Sequence, residues 1–194
     1  MRFPPKPGLC GLFFALAFSL AFGGTEEEGV QTIRSFSASP HLAEGEFILG
    51  LVGFFGEPLP PQWLILSTLK DKPGVLKESV FARGEVIAER RFQKLPGQDL
   101  PHIPIQTRGI RFDSLAAFAG AEKSAVENGV SFDSIHYQLR CREADREPVW
   151  MLSLVNRAQV VVGVVYVSAE DGDILRASWP LLEKRNLTET GKGS

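Results

Sequence analysis

Cysteine is nearly missing from this chain, with Cys10 and Cys141 the only two in 194 residues. So low a count excludes a disulfide framework and the paired-cysteine spacing of a zinc ribbon, and leaves core packing to hold the fold together. Histidine is as scarce. His41, His102 and His136 are the whole complement, and none lies within metal-ligand spacing of another histidine or a cysteine. No charge excess exists either: 21 basic residues face 23 acidic ones, for a net charge of -2. Nucleic acid and anionic membrane surfaces therefore have no electrostatic footprint here. The chain also lacks a G-x-S-x-G elbow, a G-x-G-x-x-G loop and a P-loop. From these absences we expect no catalytic, cofactor-binding or metal-binding residues.

What is present is core material. The chain is 44% hydrophobic, with 14 Phe against 2 Tyr, a balance that suits packing more than a wet recognition surface.

The N-terminus reads as a signal peptide over residues 1–23. Arg2 and Lys6 supply the positive region, Leu9 to Phe22 the apolar core, and Ala21-Phe22-Gly23 the small residues before cleavage. The apolar run falls short of the roughly 20 residues of a membrane helix. Glu26-Glu27-Glu28 follows at once, where a retained anchor, the competing expectation, favours basic residues. Cys10 precedes most of the apolar run, so it is misplaced for lipidation. Cleavage leaves Cys141 as the single thiol, and export without disulfides fits a bacterial envelope, where the sequon at Asn186 has no meaning.

Breakers split the remainder. A first unit is expected over 24–94, a Pro/Gly-rich connector over 95–109, a second unit over 110–180 and a polar tail over 181–194. In the second unit, Asp113 is placed to cap a helix from Ser114 to about Glu127, ended by Asn128-Gly129. Its buried stripe is expected to be Leu115, Phe118, Ala119, Ala125 and Val126. A strictly alternating strand follows, with Ile135, Tyr137, Leu139 and Cys141 on one side and His136, Gln138, Arg140 and Arg142 on the other. Strands from Val149 to Val155, from about Val160 to Ser168 and from Asp173 to Ser178 complete the unit. The last two embrace the turn Ala169-Glu170-Asp171-Gly172-Asp173, and Asp-Gly between apolar runs is a hairpin signal.

The first unit echoes this order. Pro61 to Ser67 resembles Pro148 to Ser153, and Ser79 to Phe92 resembles Tyr166 to Trp179. The spacing from Trp63 to Gly84 is 21, and from Trp150 to Gly172 it is 22. Glu46 to Phe55 occupies the place of the alternating strand. Thr25 to Glu28 has the form of a capping box for a short helix through about Phe36. An internal duplication is the expectation.

A helix followed by antiparallel strands, with a Trp-led middle strand and the hairpin Val167-Ser168-Ala169-Glu170-Asp171-Gly172-Asp173-Ile174-Leu175, resembles the PepSY-like family. The resemblance covers about Phe112 to Trp179 well and Glu46 to Phe92 weakly, since Arg83-Gly84-Glu85 lacks the acidic tip. It implies an α+β fold of two tandem PepSY-like units, each an antiparallel sheet of about four strands covered by a helix. It further implies an exported binding or inhibitory module with no catalytic residues, its partner an extracytoplasmic protein such as a peptidase. No nucleic acid and no stable membrane span after signal cleavage are expected.

The alternative is a small-ligand or enzymatic scaffold of cystatin-like shape with a pocket under the helix. That reading requires at least two of Asp133, His136, Arg140 and Glu143 to converge. The tip Glu170-Asp171-Gly172-Asp173 is too short for a calcium loop. Trp63 and Trp150 are expected in the core, Cys141 as a buried structural thiol, and Arg90 to Lys94 as a solvated strand edge.

Overall fold

The computed structural model describes residues 27–72 and 74–180. The expected signal peptide, Cys10, Thr25-Glu26 of the expected capping box and the tail lie outside them. Helix α1 (Gly29–Ser37) precedes strands β1 (Glu46–Gly56), β2 (Trp63–Leu69), β3 (Val75–Ala82) and β4 (Glu85–Gln93). After the connector, with its 3-10 turn at Thr107–Gly109, come α2 (Ser114–Glu127), β5 (Ser134–Cys141), β6 (Pro148–Val155), β7 (Val161–Ser168) and β8 (Ile174–Ser178).

The expectation of two tandem sheet-plus-helix units is overturned. All eight strands form one antiparallel sheet in the order β4-β3-β2-β1-β5-β6-β7-β8. The decisive contact is β1 against β5, with Gly50 opposite Arg140 and Val52 opposite Gln138. Strands that would have been the bare edges of two sheets satisfy each other's backbone groups. The core is continuous too: Leu51, Trp63 and Phe81 from one half pack in the same cluster as Ile135, Trp150 and Val165 from the other.

The helices are also tied together. The Asp113 carboxylate accepts from its own helix at Ser114 N (2.6 Å) and from α1 at Val30 N (2.8 Å). The Ser114 hydroxyl accepts from Gly29 N at 3.0 Å. The first turn of α1, whose own N-cap Glu28 makes no side-chain bond, is therefore capped by α2. Beneath lie Trp63 and Trp150, 2% and 0% exposed. Their indole N–H groups donate to the backbone just before each helix, Trp63 to Glu27 O (2.7 Å) and Trp150 to Phe112 O (3.0 Å). Both tryptophans are core anchors with satisfied polar tips.

Helix α2 has the expected bounds, and its expected stripe is met in part: Ala125 is buried and Phe118 packs against the core, whereas Ala119 is exposed. Ser114, Ala117, Ala121, Ser124 and Ala125 are buried, while Leu115 and Val126 point outward. Small side chains let the helix sit close on the sheet, and that outweighs the larger residues' apolarity. The hairpins follow their turn chemistry: Arg83 and Gly84 both take positive φ, as a two-residue turn of the primed type requires. Gly172 sits at φ +83 beneath the Phe112 ring, where a Cβ would fall 2.6 Å from a ring carbon.

Candidate functional site

Both helices pack on one face of the sheet, and the cross-strand register gives the composition of the other. One row of facing residues crosses all eight strands: Ala88, Val80, Leu64, Val52, Gln138, Met151, Tyr166 and Arg176. From Val80 to Tyr166 every member is half-buried. Beside it on the second half runs His136, Ser153, Val164 and Ser178. An antiparallel sheet with one wet face normally carries polar residues there. Here valine, leucine, methionine and tyrosine stand among Gln138, His136, Ser153 and Ser178, and the one full charge in these rows, Arg176, lies on the edge strand β8.

Two features border the band. On one side the connector crosses the strands as a strap. Leu100 packs on Leu49, Leu66 and Leu76, Pro101 lies over Gly50, and Asp99 pairs with Arg140 at 3.4 Å. The strap then rounds the end of β5, where Ile105 N–H donates to Ile48 O (2.8 Å), and Ile105 joins the helix-side core. On the other side a bulge in β1 sets Phe54 and Phe55 opposite the single residue His136. Phe55 is held at φ +57, and the two rings, 42% and 44% exposed, stand edge-on to the imidazole with centroids at 5.2 and 4.7 Å. Burial pushes the His136 imidazole below its ordinary value. Its Nε2 is buried with no hydrogen-bond partner. At a strand spacing of ~4.8 Å, the half-buried row from Val80 to Tyr166 crosses six strands and is roughly 24 Å long.

The residues proposed for an enzymatic site do not converge. Asp133 binds Arg157 at 2.8 Å, Arg140 binds Asp99, Glu143 lies 3.8 Å from His102, and His136 belongs to the phenylalanine ridge. Cys141 is half-buried against Pro104 O; burial pushes its thiol up, with the Arg146 charge acting the other way. Arg90 lies on edge strand β4 and forms a bidentate pair with Glu78, both bonds 2.8 Å. Among the described residues no group of three or more His, Cys, Asp or Glu is placed to hold a metal.

A second polar centre is structural in character. Lys77 and Glu46, 8% and 4% exposed, pair at 2.8 Å beneath the end of α1. Ser67 donates to the same carboxylate and Lys77 to the carbonyl of His41. Burial pushes the Glu46 carboxyl up, but the Lys77 and Ser67 hydrogen bonds and the Ala43 N–H outweigh it, leaving it below its ordinary value. A surface cavity of about 450 Å³ lies between Ile103, Pro104, Arg146, Glu147 and Glu170. It is at the end of the sheet, not under a helix.

No protein-family model matches the chain, and no curated protein does. Among solved structures the chain is similar to a candidate lipoprotein from Clostridium difficile 630, with 12% identity and a TM-score of 0.48. The alignment covers 70% of this chain and 83% of that one. A likeness at this level says nothing about activity. Among the described residues no helix is long and apolar enough to cross a membrane.

Of these rows, the sequence pattern marks only His136 and Gln138, on the polar side of β5. Phe54, Phe55, Val52, Leu64, Met151 and Tyr166 all went unremarked. The signal that could have found them is loss of alternation: β1, β6 and β7 read as near-continuous apolar runs, the pattern of strands covered on both faces.

Proposed function

We propose that the protein is an exported, non-enzymatic binding or inhibitory module of the bacterial envelope. It docks an extracytoplasmic protein, a peptidase among the possible kinds, on the helix-free face of its sheet. The observation that carries this reading is the apolar band on that face. Aromatic residues and methionine are enriched in interface cores and charges depleted, and Phe54, Phe55, Tyr166 and Met151 have that composition. The Glu78–Arg90 and Arg140–Asp99 pairs form the polar rim. Export is supported by the leader-like residues 1–23, and the scarcity of cysteine then suits a bacterial envelope better than a eukaryotic secretory route. The hairpin from Val167 to Leu175 supports a PepSY-like kinship.

The small-ligand alternative draws less support. The space under the helices is filled by residues such as Ala117, Ala121, Trp150 and Leu152, all 0% exposed. The test is capture from an envelope extract by the tagged chain, alongside Met151→Lys with circular dichroism to verify its fold. A protein held by the wild type and released by the variant is expected; equal capture by both would remove the face from the function.

A further inference from the structure

From its setting we infer that His136 is a proton-operated latch: the neutral imidazole keys the Phe54–Phe55 bulge onto the sheet, and protonation expels the ring and frees the ridge. One observation concerns a ring nitrogen and the other the bulge.

His136 Nε2 is buried and has no hydrogen-bond partner. A neutral imidazole can leave that nitrogen without a proton, whereas an imidazolium carries N–H on both nitrogens. The added donor would lie in a dry site with no acceptor, and an unmet donor on a charged ring costs more than one on a neutral group. No side chain around the ring offsets the charge. Phe54 and Phe55 stand against it from β1, Ser153 lies opposite on β6 with Val164 beyond on β7, and Ser134 and Gln138 flank it on β5. Of the charged residues on these stretches, Asp133 pairs with Arg157 and Arg140 with Asp99, and Glu57 beyond the bulge is exposed. Burial is accordingly what holds the imidazole below its ordinary value.

The bulge is built around the same ring. Pairing runs to Gly53 opposite Tyr137 and resumes at Gly56 opposite Ile135, so both phenylalanines fall opposite His136. Their rings meet the imidazole at 5.2 and 4.7 Å between centroids and each other at 6.5 Å. Phe55 takes φ +57, a left-handed conformation that a bulky residue keeps only where its surroundings impose it. Once protonation draws the imidazole toward water, the two rings lose their common partner and the strained bulge relaxes. The movement is confined to the phenylalanines, because the flanking glycines are pinned: a Cβ at Gly53 would fall 2.8 Å from the Trp63 ring, and one at Gly56 2.9 Å from the Tyr137 ring. The latch is closed at neutral pH and opens below the ordinary histidine value of about 6.5.

Proton NMR of the full chain tests this between about pH 8 and 4.5. Cross-relaxation from the His136 ring to the Phe54 and Phe55 rings is expected to fall at least about tenfold along the titration of His136, as the latched population drops from nearly all to about a tenth. Cross-relaxation between Trp63 and Tyr137, whose centroids are 5.6 Å apart in the core, should hold over the same range. In His136→Gln the Phe54 and Phe55 resonances should become independent of pH, whereas His41→Gln and His102→Gln should keep the response. Contacts that persist through the His136 titration in the wild type overturn the latch even if the variant fails to fold. A pH response that survives in His136→Gln overturns it as well. So does a loss shared by Trp63 and Tyr137, since that is acid unfolding of the whole sheet. The readout needs no partner, so its failure leaves the docking reading of the face standing, and failed capture leaves the latch standing.

Discussion

Replacing Asp113 by alanine should destabilise the whole molecule by more than a helix cap ordinarily does. In most proteins an N-cap serves one helix, and its loss costs about 1 kcal/mol. Here one carboxylate oxygen accepts from Ser114 N of α2 and from Val30 N of α1. Alanine removes the α2 cap and also leaves the Val30 N–H, in a part-buried site, without its acceptor, at a further cost of about 1–3 kcal/mol. The total is roughly 2–4 kcal/mol. With a urea m-value near 2 kcal/mol/M, the midpoint falls by about 1–2 M. Asp113→Asn keeps an acceptor oxygen in place and should lose under about 1 kcal/mol. It also removes a repulsion: Glu28 is raised above its ordinary value first by burial and second by the Asp113 charge, so its carboxyl should titrate lower in the asparagine variant. The assay is equilibrium urea unfolding followed by the fluorescence of the buried Trp63 and Trp150, which lie in different halves of the sheet. A loss below about 0.5 kcal/mol would show that the shared cap does not couple the helices. Two separated transitions would refute the stronger claim that the halves unfold as one.

Three further outcomes follow from the same geometry. Lys77→Met should cost about 3 kcal/mol, because it strands the Glu46 carboxylate in a site only 4% exposed. The Glu46 carboxyl titrates below its unfolded value, so its contribution is complete at neutral pH and lost as pH falls below the ordinary value of about 4.5. In Lys77→Met burial acts without the lysine to offset it, so this part of the acid limb should disappear and the variant's deficit against the wild type should narrow as pH falls, read from thermal melts between about pH 7 and 3; an unchanged acid limb would exclude the pair as its source. The His136 imidazole is lowered by burial, so the unfolded chain takes up the proton first. Stability should therefore drop as pH falls below about 6.5, and His136→Gln should flatten that slope. Equal slopes for the two proteins would contradict the assignment. Gly172→Ala should cost about 1–3 kcal/mol in urea unfolding, since its φ of +83 and the Phe112 ring both oppose a methyl group.

Much of the second half was legible because its signals are local. Asp113 and Asn128-Gly129 bracket α2, strict alternation marks β5, and Asp-Gly marks the β7–β8 hairpin. The joining of the halves was not legible, because it depends on which strand edges meet. Glu46 to Gly56 has an apolar pattern compatible with an edge of a small sheet or the centre of a large one, and only the Gly50–Arg140 and Val52–Gln138 pairing decides. The capping of α1 was misread for a similar reason. Thr25 to Glu28 has the local form of a capping box, whereas the acceptors that serve Gly29 and Val30 stand more than 80 positions later in the chain. The stripe of α2 holds at Phe118 and Ala125 and departs elsewhere on a different ground. Helical spacing of apolar residues placed Leu115 and Val126 beside Ala125, while the distance of closest approach to the sheet favours serine and alanine.

The open face shows how a site can be present in the sequence and still be missed. Val161 to Ser168 was informative as a strand because of the turn that follows it, and its lack of alternation carried a second message. A strand with one wet face alternates, as β5 does between Tyr137 and Gln138, whereas Val164 and Tyr166 of β7 are apolar on the side away from Val165 and Val167. The same holds for Met151 in β6, for Val52 and Phe54 in β1, and for Leu64 in β2. Adjacent strands that share this departure place their outward residues in one row, so the departures add up to a surface. Two helices are enough to cover one face of eight strands, and the strap covers part of the other. Apolar residues beyond that cover have no partner within the described chain, and this unmatched remainder is the physical reason to expect an interface on the helix-free face.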